Sequence, residues 1–437
     1  MRRVRCMTES DLKAANCRSE FIKVNKYAPI EVKKDNLLQD FNKDLDAVQI
    51  KPQNVKLMLR KGREQSVKLT YKPAKNYPLD LYYLMDLTFT MKDDKETLVK
   101  MGGSLLDAMK NLTENFRLGF GSFSDKPVMP YILSGKEDNP CSTVNEVCQP
   151  AYGFKHKLPL TKDVQEFILK VNGSDITANL DNMEGGFDAL MQILVCKDIG
   201  WNNKTRKIVV FASDGPFHLA GEGKLGGIVK KNDKQCHLSE DGDYMKSLEY
   251  DYPSLEEIYR ELLKTKVNVI FAVTQDVNYH YDQVRELMQE LTSVGTLKSD
   301  SSNILQLVEN GYKEVVKRAQ FTDNAPNYIK INYKTDCGGK YNVPQDLSHC
   351  DNIEIGNEYE FEIQINLQSY PEDQTKALKI RIEESGLSEG LDIDIEIDYP
   401  CSSCETIPGE KFSPLCLRQG EFKCGLCYCN SGWEGKM

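Results

Sequence analysis

The sequence has no apolar run long enough to span a bilayer. Its opening, MRRVRCMTES, carries the charge of a secretory leader without the apolar core that a leader needs. There is no basic excess either: 56 Lys and Arg stand against 66 Asp and Glu, a formal net charge of −10. Nothing in that balance draws the chain to nucleic-acid phosphates, and it suits a protein that holds divalent cations. Internal repeats and low-complexity tracts are lacking. Histidine is scarce, 5 in 437 residues. His156, His218 and His237 fall in loop contexts with no serine or cysteine nucleophile paired to them, so they read as structural or surface residues and no hydrolytic apparatus is evident. The length leaves room for two or three domains with cores of their own.

Cysteine is abundant and unevenly placed. Of 14, six crowd into the last 37 residues: Cys401, Cys404, Cys416, Cys424, Cys427 and Cys429. Others fall as close pairs (Cys6 with Cys17, Cys141 with Cys148, Cys337 with Cys350), and Cys196 and Cys236 complete the candidates. An even number and local pairing speak for disulfides and an oxidising compartment; free thiols in a cytosolic protein are the alternative. Sequons at Asn111 (NLT), Asn172 (NGS) and Asn203 (NKT) agree as glycosylation candidates. An extracellular chain without leader or anchor reads as a piece of a longer protein. In the C-terminal cluster, Cys401 with Cys404 and Cys424 with Cys427 have zinc-ribbon spacing. A four-thiolate site would leave Cys416 and Cys429 over, whereas CGLCYCNSGWEG has the closely spaced cysteines and Gly-Trp turn of an EGF-like module. Disulfides are the preferred reading.

Hydrophobic periodicity divides the chain. Over 18–78, VQIKPQNVKLMLRKG and SVKLTYKPA alternate apolar and polar residues between turn formers. Over 323–400, NYIKINYKT, EYEFEIQINLQ, ALKIRIEE and LDIDIEIDY do the same, as half-buried antiparallel strands of a sandwich. Between them, over 79–322, the strand-like runs LDLYYLMD, FRLGFGSFSD, KIVVFASD and VNVIFAVTQD alternate with helical segments. Those segments are ETLVKMGGSLLDAMKNLTEN, GGFDALMQILVC, SLEEIYRELLKT, YDQVRELMQELTSV and SSNILQLVENGYKEVVKRAQ. The alternation predicts a doubly wound, largely parallel α/β sheet, inserted between two strands of the sandwich and followed by a disulfide-rich module.

Asp86, Asp125, Asp214 and Asp276 each end an apolar strand. Ligands of open α/β sheets bind at the carboxyl ends of strands, and carboxylates gathered there repel unless a cation joins them. Singly, such an aspartate is as well explained as a loop starter or helix cap, and that is the preferred reading of Asp276. In DLTFT, Asp86, Thr88 and Thr90 stand at alternate positions just past a strand, and carboxylate and hydroxyl oxygens are hard ligands suited to Mg2+, Mn2+ or Ca2+. MKDD adds Asp93 and Asp94; NLDNMEGG adds Asn179, Asp181, the Met183 carbonyl and Glu184.

The stretches DLYYLMDLTFTMKDD, NMEGGFDALMQ, GFGSFSDKPVMPY, KLGGIVKKNDKQCHL and DSSNILQLV resemble the βI, or von Willebrand A-like, domain of integrin β subunits. The resemblance runs the length of the chain. It implies a PSI-domain remnant over 1–17, a hybrid domain split into 18–78 and 323–400, the βI domain over 79–322, and an incomplete EGF-like module over 401–437. It implies a metal-ion-dependent adhesion site of Asp86, Thr88, Thr90 and Glu184, with Asp214 nearby, holding Mg2+ or Mn2+. An adjacent Ca2+ site would use Asp93 and Asp94 with the carbonyls of Thr90 and Ser299. A third, also for Ca2+, would use Asp125, Asn179, Asp181, the Met183 carbonyl and Glu184. It further implies an α-subunit partner and a ligand presenting Asp or Glu. The loop Cys141–Cys148 would determine specificity, and movement of the last helix would swing the hybrid domain outward.

The chain departs from the family pattern. Thr88 and Thr90 replace serines, which keeps the hydroxyls but stiffens χ1; Met183 stands where proline is usual. A hybrid-domain disulfide is lost at both ends, near Tyr370 and Pro371 and near Tyr399 and Pro400. Cys6, Cys17 and Cys401 resemble cysteines whose partners belong to, or lie upstream with, the PSI module. Two other readings remain: an A-domain adhesion protein that needs no α subunit, and a Mg2+-dependent phosphatase with an aspartate nucleophile. The phosphatase motif D-x-D-x-T would need a second aspartate where Thr88 stands.

Overall fold

The structure, a computed structural model, describes residues 29–42, 45–144, 146–398, 409–423 and 426–430. The expectations placed on 1–17, on Cys401 and Cys404, and on the Gly-Trp end of the C-terminal pattern lie outside the described residues.

The chain begins with β1 (Glu31–Lys34), β2 (Ile50–Lys51), β3 (Asn54–Leu59) and β4 (Glu64–Tyr71). It then lays down β5 (Leu79–Asp86), α1 (Lys92–Lys100), α2 (Gly102–Leu112), β6 (Phe116–Phe123), β7 (Phe154–Thr161), α3 (Val164–Asn172) and α4 (Gly186–Val195). There follow β8 (Arg206–Ser213), α5 (Leu255–Thr265), β9 (Val267–Thr274), α6 (Asn278–Leu287), β10 (Thr292–Leu297) and α7 (Ile304–Val316). Six strands return, β11 (Arg318–Asp323), β12 (Ile329–Lys334), β13 (His349–Asp351), β14 (Tyr359–Leu367), β15 (Ala377–Glu384) and β16 (Gly390–Ile397), and then β17 (Glu410–Lys411), β18 (Gly420–Lys423) and β19 (Leu426–Cys429) form a small sheet.

The central sheet has the order β10-β9-β8-β5-β6-β7. All its pairings are parallel except that of the edge strand β7, which runs antiparallel to β6. β5 and β8 are buried at every residue, as a sheet covered on both faces requires. Their side chains alternate between two cores. Tyr82, Leu84, Val209 and Phe211 pack under α4, α5 and α6; Leu81, Tyr83, Ile208 and Val210 pack under α1, α2, α3 and α7. The winding leaves β5 toward β6 and returns on its other side through β8, so the crevice between the carboxyl ends of β5 and β8 is the switch point of the sheet. Asp86 ends one of those strands and Asp214 follows the other.

Strands from both ends of the chain meet in two further sheets, β1-β3-β16-β15-β11-β13 and β12-β14-β4-β2. They share one apolar core that includes Val55, Leu57, Leu69, Phe361, Ile380 and Ile393. The described chain thus leaves this two-sheet unit after Tyr71 and re-enters it at Arg318. Cys337 and Cys350 are bonded within it; Cys141–Cys148 and Cys196–Cys236 are bonded in the α/β domain, and Cys416 is also disulfide-bonded. The Tyr370 hydroxyl donates to the Asp398 carbonyl at 3.5 Å.

Several local expectations are corrected. The helix expected over Glu96–Asn115 starts earlier, at Lys92, and divides at Met101. The helix expected over Tyr281–Val294 stops at Leu287, because Thr292–Leu297 pairs with β9 as the outer parallel strand. The last helix, expected to reach Gln320, stops at Val316: Ala319 and Phe321 are buried at alternate positions of β11, which pairs with β13 and β15. Finally, β16 lies parallel to β3 in a unit expected to be antiparallel throughout.

Gly186, at the start of α4, marks the tightest packing over the switch point. A Cβ there would lie 2.3 Å from the Phe211 ring and 2.9 Å from that of Phe123, both fully buried. Gly186→Ala is expected to lower stability by about 1–3 kcal/mol, although alanine is the better helix former. Denaturant unfolding checks this; an unchanged or raised midpoint would show that the rings yield freely.

Candidate metal centre

The switch-point crevice is built from backbone outward. β5 delivers Asp86 fully buried. Its Oδ1 accepts from the Thr88 backbone N–H at 2.8 Å and the Thr88 hydroxyl at 2.7 Å, and its Oδ2 from the Ser213 hydroxyl at 2.9 Å. A single helical turn, Phe89–Met91, then leads into α1 and sets the Thr90 hydroxyl 3.4 Å from that of Thr88. The Thr90 side chain favours the charged form of Asp214, against the effect of burial. Glu184 reaches the same place on the loop before α4. Its backbone N–H donates to the Pro216 carbonyl at 2.9 Å, and the next N–H, of Gly185, donates to Ser124 at 2.8 Å. Gly215 permits the approach, since a Cβ there would fall 2.8 Å from Glu184 Cγ.

The electrostatics follow from this crowding. Burial, together with the charge of Asp214, pushes Asp86 up to about 7. Burial, then Asp86 and Asp125, hold Glu184 well above the usual carboxylate range. Burial raises Asp214, with Asp276 and Asp93 adding to it. Glu184 Oε2 is buried with no hydrogen-bond partner. An orphaned carboxylate oxygen beside two more carboxylates and two hydroxyls fits a hard divalent cation, by donor chemistry and by charge.

Beside this cluster lies a cavity of about 740 Å³ whose walls include Thr90, Asp93, Asp94, Asp214, Asp276 and Ser299. Asp94 is buried and pushed up to about 6 by burial, with Asp93 adding to it, while the Ser301 hydroxyl bonds to its Oδ1. Asp276, read from sequence as a loop residue, does bind its own neighbour, accepting from the Thr274 hydroxyl at 2.7 Å, and it lines the same cavity.

On the other side, the residues expected at a third cation position are joined by His218. Ligand atoms of Asp125, Asp181 and His218 all lie within 4.8 Å of one another. His218 Nε2 is 3.2 Å from Asp125 and 3.0 Å from Asp181, and Nδ1 is 3.3 Å from Glu222. Burial opposes its charge, yet the bonds to Asp125 and Asp181 win and hold the imidazolium up to about 10. Asn179 donates from Nδ2 to the Met183 carbonyl at 3.0 Å, so these two expected ligands bind each other.

The reading of His218 as a structural or surface residue is therefore incomplete: it is buried among the acids of the site. Lys126 gave no sequence signal either. Its fully buried ammonium bonds Asp188 and donates to the carbonyls of Ser247 at 2.8 Å and Tyr250 at 2.9 Å. It also sits 4.3 Å over the ring of Tyr252, whose hydroxyl bonds Asp125. Of the remaining histidines, His156 pairs with the Tyr82 hydroxyl at 2.7 Å and His237 with Asp233 at 3.0 Å, both away from this cluster.

The Cys141–Cys148 loop packs beside the crevice. The two half-cystines and Ile176 form a small core against Phe89, between the two site threonines, and Lys92 pairs with Glu146 at 2.9 Å. Of the sequons, Asn172 closes α3 and Asn203 lies in a turn, both exposed; the Asn111 side chain is outside the described set.

Comparison with known proteins bears on all of this. The family model for the integrin beta chain VWA domain matches residues 74–319. The chain is 38% identical to integrin beta-PS of Drosophila melanogaster over 397 residues, covering 89% of this chain and 46% of that protein. It is 41% identical to integrin beta-1-A of Xenopus laevis, covering 89% and 48%, and 37% identical to integrin beta pat-3 of Caenorhabditis elegans, covering 99% and 54%. The chain thus spans about half the length of the curated relatives it matches. With more than half of its residues inside the family match, the chain belongs to the integrin β family.

Proposed function

We propose that this chain is ectodomain of an integrin β subunit, an adhesion receptor and not an enzyme. In this reading it pairs with an α subunit at the cell surface and grips an Asp or Glu of an extracellular protein ligand through a divalent cation. The observation that carries the reading is the pair of buried carboxylates Asp86 and Glu184 at the switch point beside the half-buried Asp214, with Glu184 Oε2 unpartnered. Asp86, Thr88, Thr90, Glu184 and Asp214 would hold Mg2+ or Mn2+. Asp93 and Asp94, with the Thr90 and Ser299 carbonyls, would hold one Ca2+; Asp125, Asn179, Asp181, the Met183 carbonyl and Glu184 would hold another. The central cation supplies a positive coordination position for the ligand's carboxylate.

The chain's own residues do the positioning. Two hydrogen bonds from Thr88 and one from Ser213 fix both oxygens of Asp86, so the carboxylate need not reorganise when charge arrives. The disulfide loop stands beside the threonine turn, where it would meet the ligand's flanking residues. The two-sheet unit is read as the hybrid domain. α7 runs into β11 through Lys317 alone, so displacing that helix would pull directly on the unit. A ligand biases such a movement only by binding one arrangement more tightly.

With an α ectodomain co-expressed, binding of an acidic-loop ligand should need Mg2+ or Mn2+ and should be lost in Asp86→Ala. Thr88→Val, which keeps the shape and removes the hydroxyl, should weaken it strongly, while Thr88→Ser retains it. Metal-independent binding, or full binding by Asp86→Ala, would sink the proposal. A second test uses pH. Asp86, Asp94 and Glu184 hold protons in the folded state above their ordinary range, and a cation must displace them. Such raised carboxylates cost stability as pH climbs from about 4 through 7. A bound cation relieves that cost, so Mg2+ with Ca2+ should raise the unfolding temperature more at pH 7.5 than at pH 5.5. An equal or reversed shift in a thermal melt would contradict the assignment.

A further inference from the structure

The end of the central sheet opposite the carboxylates carries a second concentration of buried charge. Arg206 opens β8 there, and its backbone N–H donates to the Pro78 carbonyl at 2.8 Å. Its guanidinium Nη2 lies 4.0 Å from Oε2 of Glu384, the last residue of β15 in the two-sheet unit, with side chains 5% and 4% exposed. That separation is too long for a hydrogen bond, so the attraction is Coulombic, through a medium far less screening than water. Glu389, just before β16, adds a second negative charge toward the same guanidinium.

The contact is close as well as charged. Glu384 Oε2 accepts from the Gly386 N–H at 2.9 Å. A Cβ at Gly386 would fall 2.7 Å from Arg206 Nη1 and 2.9 Å from Asn268 Oδ1, so this turn seats closely against the base of the α/β domain. Asn268, on β9, is 2% exposed and its Oδ1 has no partner. Outside this centre Lys266 pairs with Glu383 at 2.8 Å, and at the exposed rim Lys204 pairs with Asp46 at 2.5 Å. In all three ion pairs the cation belongs to the α/β domain and the anion to the two-sheet side. The exposed rim pair contributes little; the buried pair is the one whose separation carries a cost.

We propose that Arg206 and Glu384 form a charge latch that fastens the two-sheet unit to the base of the α/β domain, releasing it only when both charges are hydrated together. Drawing the turn at 384–387 away while either group stays in its apolar surroundings leaves an uncompensated buried charge, the costly case for ion pairs of this kind. The latch rests on the function proposed above only in that the outward swing is the movement it would gate.

The test is hydrogen–deuterium exchange on the full chain, without added cation or ligand, so its result stands whether or not cation-dependent binding is found. Arg206→Met and Glu384→Gln should each speed exchange at 384–390 by about tenfold, while β9 stays unchanged. The double variant should exchange there less than the two single effects predict, returning to within about threefold of the parent. Unchanged exchange in both singles, additive effects in the double, or an equal rise in β9 would each overturn the latch. Glu384→Gln keeps the shape of the side chain and serves if Arg206→Met does not fold.

Discussion

Carboxylates that share one end of one sheet repel each other, and much of the α/β domain is arranged around that repulsion. At an effective dielectric constant near 20, two like charges 4 Å apart oppose each other by about 4 kcal/mol, a large share of the margin by which a domain is stable. Asp86, Glu184, Asp214 and Asp125 come together because the winding order reverses at β5 and β8, and a crevice opens only there. Hydroxyls of Thr88, Ser213 and Thr90 stabilise the ionised forms, yet burial wins and the acids stay above their ordinary range. The arrangement is unfavourable for folding and favourable for taking up positive charge.

The chain answers the same problem with its own cations on the flank. His218 is held as imidazolium among Asp125, Asp181 and Glu222, and Lys126 pairs with Asp188 in the first turn of α4. Tyr252 joins the two, with its hydroxyl on Asp125, its ring under Lys126 and its face stacked on His218 at 4.8 Å. These groups tie the long loop over 214–254 to the sheet through charge as well as packing. Lys126 also fixes that loop's carbonyls at Ser247 and Tyr250. The loop's path is therefore set by the electrostatics of the crevice it borders.

What could be read from sequence was local. Asp86, Thr88 and Thr90 were legible because strand alternation ends at a recognisable place and spaces three oxygens at alternate residues. Asp93, Asp94 and Glu184 were legible as neighbours of helix starts. What escaped came from contacts between distant segments: Ser213 reaches Asp86 across 127 residues and Ser301 reaches Asp94 across 207, and no window on the chain holds both partners. His218 lies among loop residues and shows its role only once 125 and 181 are folded against it. β10 was missed for another reason. Its TSVGTL is short and weakly apolar, and only pairing with β9 makes it a strand. No motif in the sequence marks Arg206 or Glu384, because their burial exists only where two units meet.

The crevice and the joint lie at opposite ends of the same strands, and eight residues of β5 or β8 separate them by roughly 25 Å. Strands held in a covered parallel sheet are poor candidates for relative movement, because sliding one breaks a full ladder of bonds. α7 has no such ladder. Its N-terminal approach carries Ser301, bonded to Asp94, and at its C-terminal end one residue leads into β11. Its grip on the sheet is steric: a Cβ at Gly311 would sit 2.6 Å from the Ile270 side chain and one at Gly295 2.8 Å from Leu307, while Ile304, Val308 and Val316 pack into the core. An axial shift would have to carry the neighbouring side chains past Ile270, and packed interfaces of this kind resist continuous deformation. A helix whose approach bonds Asp94 at one end and which leads through one residue into β11 at the other joins the acidic cavity to the two-sheet unit by a short covalent path.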